Sequence, residues 1–140
     1  MPDDRDEAGI PAHVHNNGVH AQLDIEIVEA APDRVVLSLP IASKVHQPFG
    51  ILHGGVSCLL AESAASLGGQ LNVREGKGIV GIELNASHLR SATTGTLFAA
   101  ATPVRIGRSI QVWHIELSDQ DGRSICDARC TLAVIDLPAG

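Results

Sequence analysis

The residues best suited to chemistry fall in one short stretch, "HQPFGILHGGVSCLLAESAASLGG", residues 46–69. It places Gln47 and then His53-Gly54-Gly55 directly before a run of small and apolar residues whose one formal charge is Glu62. Glycines at the start of a helix leave backbone N–H groups unobstructed at the positive end of the helix dipole. Such donors polarise a carbonyl and hold the oxyanion that develops during acyl transfer. Gly-Gly before a helix is as often just a tight turn; beside Gln47, His53 and Glu62 it becomes a candidate site. Glu62 shares a helix face with Cys58, Leu59, Ala65 and Ser66, none of which can neutralise it. Burying an unpaired carboxylate costs several kcal/mol or raises its pKa. Two readings follow: a carboxylate poised in a cleft, or one that meets water on a partly exposed helix. The first is preferred because His-Gly-Gly supplies the complementary donors.

The elements that must position these residues are legible from periodicity. Leu23, Ile25 and Ile27 alternate with Gln22, Asp24 and Glu26 as in a half-buried strand, and "RVVLSLPI" supplies a second after the turn residues Pro32 and Asp33. Gly54 to Asn72 is too long for a strand and ends in the loop "NVREGKG", which predicts the main helix. Four extended segments follow, at about 78–87, 95–106, 109–119 and 123–135, separated at Thr94-Gly95, Gly107-Arg108 and Asp121-Gly122. The order β-β-α-β-β-β-β gives an α+β class. One helix cannot cover both faces of a parallel sheet, so the expected arrangement is an antiparallel curved sheet wrapped around one central helix. That helix is apolar on nearly all sides, which predicts burial all round, and its Ser57, Ala61, Ala64, Ala65, Gly68 and Gly69 permit close approach of the sheet.

At 140 residues with 44% hydrophobic content the chain has enough apolar mass for one core. We expect a single domain over residues 20–140, preceded by an acidic, flexible leader over 1–19. The first twenty residues carry no apolar core and resemble neither a signal peptide nor a membrane span, so a soluble, cytoplasmic protein is expected. The net charge of −6 is local: residues 1–40 hold eight acids against Arg5 and Arg34, and the remaining hundred residues balance. With no basic cluster and only three aromatic residues, nothing points to nucleic acid. Cys58, Cys126 and Cys130 are odd in number and lack metal-ligand spacing; Cys126 and Cys130 alternate onto the apolar face of a strand and read as core. Cys58 lacks an obvious base and reads as a small buried helix residue. His13, His15 and His20 have no framework of Cys or carboxylate ligands, and no metal site is expected. His114 and Trp113 read as packing residues.

Three segments, "QPFGILHGGVSCLLAESAASLGG", "LNASHLRS" and "IGRSIQVWHIELSDQDGRSICDARCTLAVI", resemble the hotdog-fold acyl-CoA thioesterases. The likeness is to the 4-hydroxybenzoyl-CoA (Arthrobacter-type) and 1,4-dihydroxy-2-naphthoyl-CoA group, near the phenylacetate-degradation thioesterases, and runs from about residue 20 to 136. It implies hydrolysis of acyl-CoA thioesters, aromatic or medium-chain, with no metal or organic cofactor and coenzyme A as part of the substrate. It implies that Glu62 is the catalytic carboxylate, as nucleophile or as general base. It further implies that the Gly54 N–H polarises the carbonyl, that Gln47 and His53 line the same pocket, and that Ser66 orients the carboxylate or its water. By the same resemblance His88, Arg90, Ser91, Arg105, Gly107, Arg108 and Ser109 lie at the nucleotide end of coenzyme A, where their chemistry suits phosphate. The alternative is ordinary solvated strand-end arginines. An acyl-carrier-protein thioesterase, another hotdog enzyme such as a hydratase, and a non-catalytic acyl-CoA binding module are the rival functions.

Helix geometry adds a constraint. Gly54 and Glu62 are separated by roughly 12 Å along one helix at 1.5 Å per residue, whereas a reacting carbonyl must lie about 3 Å from both its donor and its attacker. Two antiparallel helices related by a two-fold axis meet that demand, each giving its start to one site and its Glu to the other. A homodimer with shared sites, paired into a homotetramer, is therefore expected.

Overall fold

Gly95 (φ 94°) and Gly122 (φ 79°) take left-handed backbone at two of the expected strand boundaries, a conformation glycine adopts without steric cost. The computed structural model describes Ile10 and residues 17–138. Its elements are α1 (Gly18–Gln22), β1 (Glu26–Ala31), β2 (Arg34–Pro40), a 3-10 turn (Ser43–Val45), α2 (Gly54–Gln70), β3 (Lys77–His88), β4 (Thr96–Ile106), β5 (Ile110–Ser118) and β6 (Ser124–Asp136). The strands form one antiparallel sheet in the order β1-β2-β4-β5-β6-β3, and α2 touches every strand of it. This is the α+β hotdog architecture, with the short α1 as an addition.

The start of β1 differs from the sequence pattern. Gln22 belongs to α1, and Asp24 has a φ of 56°, so the chain is not extended until Glu26. Ile25 is nonetheless buried, because the turn that replaces the strand also directs it inward. Ile10, within the stretch expected to be a leader, is buried in the core.

The helix docks through small residues. Leu97, Ala99 and Ala101 of β4, Trp113, Ile115 and Leu117 of β5, and Ala128, Cys130 and Leu132 of β6 are all buried beneath it. Burial pushes the Cys130 thiol up to about 12 and the Cys126 thiol up to about 11, as core cysteines should be. Trp113 sits so close beneath α2 that a Cβ on Gly68 would lie 2.5 Å from its ring. Its indole Nε1–H donates to Gln111 Oε1 (2.9 Å), and Gln111 Nε2 donates to the Gly69 carbonyl (3.2 Å). The one fully buried glutamine of the sheet thus ties the indole to the end of the helix with every polar group satisfied. Asn72 Nδ2 donates to Gly68 O (2.8 Å) and Pro32 O (2.7 Å), joining that helix end to the β1–β2 turn. His114 lies on the opposite sheet face, where Nε2 meets Asp127 at 2.5 Å.

One side of α2 differs from the expectation of a helix buried all round: Gly55, Glu62 and Gln70 are exposed along it. The two sheet edges are also unlike: β1 is short, bulged and carries Glu26 and Glu29, whereas β3 is twelve residues long and exposes Val80 (42%) and Ile82 (57%). Among the described residues no helix is long and apolar enough to cross a membrane.

Candidate active site

The loop before α2 is held by its own backbone. Gln47 N donates to Ile51 O (2.8 Å) and Gly50 N to Gln47 O (2.9 Å), making a tight turn around Pro48 and Phe49. Leu52 N donates to Ala92 O (2.7 Å) and His53 N to Val45 O (2.9 Å), so the turn is pinned against residues 89–94 on one flank and the 3-10 turn on the other. The Gln47 side-chain oxygen accepts from the Phe49 N–H, which leaves the carboxamide NH2 as the group Gln47 can offer a ligand.

His53 is the N-cap of α2: its Nδ1 accepts from Gly55 N–H at 2.8 Å. With Nδ1 as acceptor, the neutral imidazole carries its proton on Nε2. Both glycines of the motif lie against histidine rings. A Cβ on Gly55 would lie 2.9 Å from the His53 ring, and one on Gly54 would lie 2.9 Å from His88 Nε2 and 3.0 Å from His88 Cε1. Gly55 N–H is consumed by the cap, and Val56 and Ser57 donate to His53 O. Gly54 N–H has no partner among the described residues. It is the one orphan donor of the first turn that sequence reasoning singled out.

Gly54 opens into a cleft of about 390 Å³ whose polar lining is Gln47, Ser57, His88, Arg90 and Ser91, with Ile51, Leu52, Leu89 and Ile125 among its apolar walls. Ser57 was not picked out from sequence as a site residue, although its position three residues after Gly54 puts it on the same helix face. The cleft therefore combines a backbone donor at a helix N-terminus, a carboxamide, an imidazole and a guanidinium with apolar walls.

Glu62 and Ser66 do not line this cleft. Glu62 is exposed, has no hydrogen-bond or ion-pair partner among the described residues, and lays its carboxylate against Gly81 of β3. It therefore faces the open β3 edge of the sheet, and within one chain it is in contact with water.

The seven residues assigned to coenzyme A are divided by the fold. His88, Arg90 and Ser91 lie at and just beyond the end of β3 and border the Gly54 cleft. Gly107 and Arg108 border a second cleft, of about 350 Å³, with Asn72, Arg74 and Lys77 at the other end of α2; Arg105 near the end of β4 and Ser109 in the β4–β5 turn flank them. The two ends of α2 are about 24 Å apart at 1.5 Å per residue. A single chain does not bring these groups to one ligand. Among the described residues no three His, Cys, Asp or Glu side chains gather in a way that would hold a metal ion. His20 instead meets Ser63 Oγ at 2.9 Å, and His13 and His15 lie outside the described residues.

Comparisons with known proteins bear on the fold and the family. The family model described as "Thioesterase superfamily" matches residues 49–126, from the turn before α2 into β6. A 1,4-dihydroxy-2-naphthoyl-CoA hydrolase of Listeria monocytogenes is 44% identical over 117 residues, 84% of this chain and 95% of its own. A thioesterase crystal structure from Haemophilus influenzae superposes with a TM-score of 0.86 at 42% identity, covering 91% of this chain and 89% of that one. A Staphylococcus aureus protein, solved as a glutamate-to-alanine mutant, superposes with a TM-score of 0.84 at 35% identity, covering 86% of this chain and 100% of that one. The same Staphylococcus aureus protein, described as a thioesterase enzyme, has also been solved as a glutamine-to-alanine mutant. With more than half its length inside the family model, and with fold and identity in accord, the chain belongs to the thioesterase superfamily and is a thioester hydrolase.

Proposed function

We propose that the protein hydrolyses acyl-CoA thioesters, with aromatic or medium-chain acyl groups, at sites shared between two copies of the chain. The observation that carries this reading is the separation of parts: an unsatisfied Gly54 N–H and the Gln47 carboxamide face one cleft, while Glu62 leans away from it toward the exposed β3 edge. A two-fold axis perpendicular to β3, passing beside its free edge, would bury Val80 and Ile82 and, because α2 runs alongside β3, would set the two α2 helices antiparallel. Glu62 of each chain would then meet the Gly54 cleft of the other, and the Arg108 cleft would approach the same site from the partner. Pairing of two such dimers gives a tetramer.

In the site so formed, Gly54 N–H and the Gln47 NH2 hold the thioester oxygen as it gains negative charge. Glu62 then either attacks the carbonyl carbon, expelling the coenzyme A thiolate and leaving an anhydride that water opens, or takes a proton from water as that water attacks. Both routes end in free acid and coenzyme A, and neither calls on a cofactor. His53 fixes the first turn of α2 through its cap, and Ser66, one turn beyond Glu62, orients the water that the carboxylate works with. The cytoplasm, where coenzyme A thioesters are made, is the compartment this chemistry suits.

The relatives' names support the substrate class, since one is a CoA hydrolase acting on a bicyclic aromatic acyl group. The two residues mutated in the Staphylococcus aureus enzyme are fifteen positions apart, the spacing of Gln47 and Glu62. The test is a panel of acyl-CoA substrates assayed by free-thiol release on the native protein and on Glu62→Gln. The native protein should turn over aromatic or medium-chain members, and Glu62→Gln should lose at least about a hundredfold in kcat with its fold intact. Near-native turnover by folded Glu62→Gln would remove Glu62 from the reaction.

A further inference from the structure

Beneath Glu62 the sheet is irregular, and the irregularity matches the carboxylate. Gly81 pairs with Leu132 and Glu83 with Thr131, so Ile82 is an extra residue in β3. Were Ile82 paired regularly instead of bulged, Glu83 would follow Gly81 onto the helix side of the strand. With the bulge, Glu83 turns to the other face, where Oε2 accepts from Thr131 Oγ1 (3.2 Å) and Oε1 from Asn85 Nδ2 (3.1 Å). A bulge re-aims side chains in this way at the cost of one ladder position. It leaves the helix-facing floor at this point to Gly81 alone. A Cβ on Gly81 would stand 3.0 Å from Glu62 Cδ and 3.4 Å from Cγ, and closer still to Oε1.

We propose that Gly81 is a positioning residue: its missing side chain is the seat that holds the Glu62 carboxylate toward the β3 edge. The bulge that follows keeps a second carboxylate, Glu83, from being turned against it. This rests on the reading of Glu62 as the catalytic carboxylate. No side chain of α2 or β3 bonds Glu62 among the described residues, so the shape of this floor is what limits where the carboxylate can lie. Any residue larger than glycine at position 81 must displace Glu62, and that displacement is sterically cheap because Glu62 is long, flexible and exposed. The fold therefore tolerates the change while the reacting geometry does not; a misplacement of about 1 Å can cost a hundredfold in rate.

The experiment compares Gly81→Ala, Glu62→Gln and the double variant in the full-length protein, with Gly78→Ala as the control. Gly78 is on the same strand, and its Cβ would crowd Leu137 rather than Glu62. Gly81→Ala should lower kcat by roughly ten- to a hundredfold with little change in KM, unfolding midpoint or oligomeric state. It should have no further effect when added to Glu62→Gln, and Gly78→Ala should keep native kcat. Native kcat in Gly81→Ala would overturn the proposal while Glu62→Gln is inactive. So would an equal loss when Gly81→Ala is added to Glu62→Gln, or a loss in Gly78→Ala as large as that in Gly81→Ala. Activity retained by Glu62→Gln itself would instead remove the reading on which the proposal stands.

Discussion

Arginine replacement at the two ends of α2 measures whether one coenzyme A is held by two chains. Arg90 borders the Gly54 cleft and Arg108 the cleft at the far helix end, about 24 Å away along α2. Neither guanidinium has a protein partner among the described residues, so each is available to a phosphate, and losing it leaves no buried charge behind. A charge-assisted hydrogen bond contributes about 1.5–3 kcal/mol, or roughly ten- to a hundredfold in affinity. Both side chains are exposed and screened by solvent, so the lower figure applies. Arg90→Ala and Arg108→Ala should each raise KM for an acyl-CoA by about tenfold, and the double variant by about the product. The same acyl group on pantetheine, which lacks the nucleotide, should be hydrolysed at the native rate by all three. Free-thiol release at two salt concentrations is the assay, and the arginine effect should shrink at the higher one. If Arg108→Ala leaves KM unchanged, the far cleft takes no part in binding. Equal losses on both substrates would mean the arginines act through the fold.

Gly68→Ala should destabilise the protein by about 1–2 kcal/mol, since overpacking against the buried Trp113 ring exceeds the gain of about 1 kcal/mol from removing a helical glycine. The measurement is the urea midpoint at constant slope, and a rise in it would refute the packing account. Cys130 and Cys126, with thiols pushed to about 12 and about 11, stay protonated at about pH 8. Iodoacetamide should therefore modify at most Cys58 in the folded protein and all three cysteines after unfolding; alkylation of folded Cys130 would show that the core opens. Asp119 is lowered despite burial, because Arg123 and the Asp121 N–H bond its carboxylate. Its contribution to stability should be complete above the ordinary carboxylate range and fade as pH falls through the lowered value; an acid-unfolding profile unchanged in Asp119→Asn would contradict this.

Sequence patterns located the strands that matter because each boundary has a turn residue with its own physical cause. Gly95 and Gly122 adopt left-handed backbone, and β4, β5 and β6 begin and end within a residue of the positions their alternation predicts. Where the pattern was local but the cause was not, it misled. Leu23, Ile25 and Ile27 alternate as a strand would, yet Asp24 turns the chain and α1 takes Gln22. The composition of α2 suggested burial on every side, but small apolar residues are equally suited to packing on a sheet and to meeting a second chain, and periodicity does not separate the two. The division of the phosphate-binding candidates was available in principle: β4 runs from Thr96 to Ile106, and the two ends of a strand cannot be in one place. Gly81 carried no signal at all, since a missing side chain announces nothing until the residue above it is known.

Mixed dimers test the central claim most directly. Chains carrying Glu62→Gln and chains carrying Gln47→Ala are given different tags, refolded together and purified through both tags; His53 is left intact because it caps α2. If each site takes Gln47 and Gly54 from one chain and Glu62 from its partner, the mixed dimer holds one intact site and one doubly impaired site. It should recover about half the activity of the native dimer, while each parent homodimer remains near background. Mixed dimers no more active than the two parents would contradict the shared site.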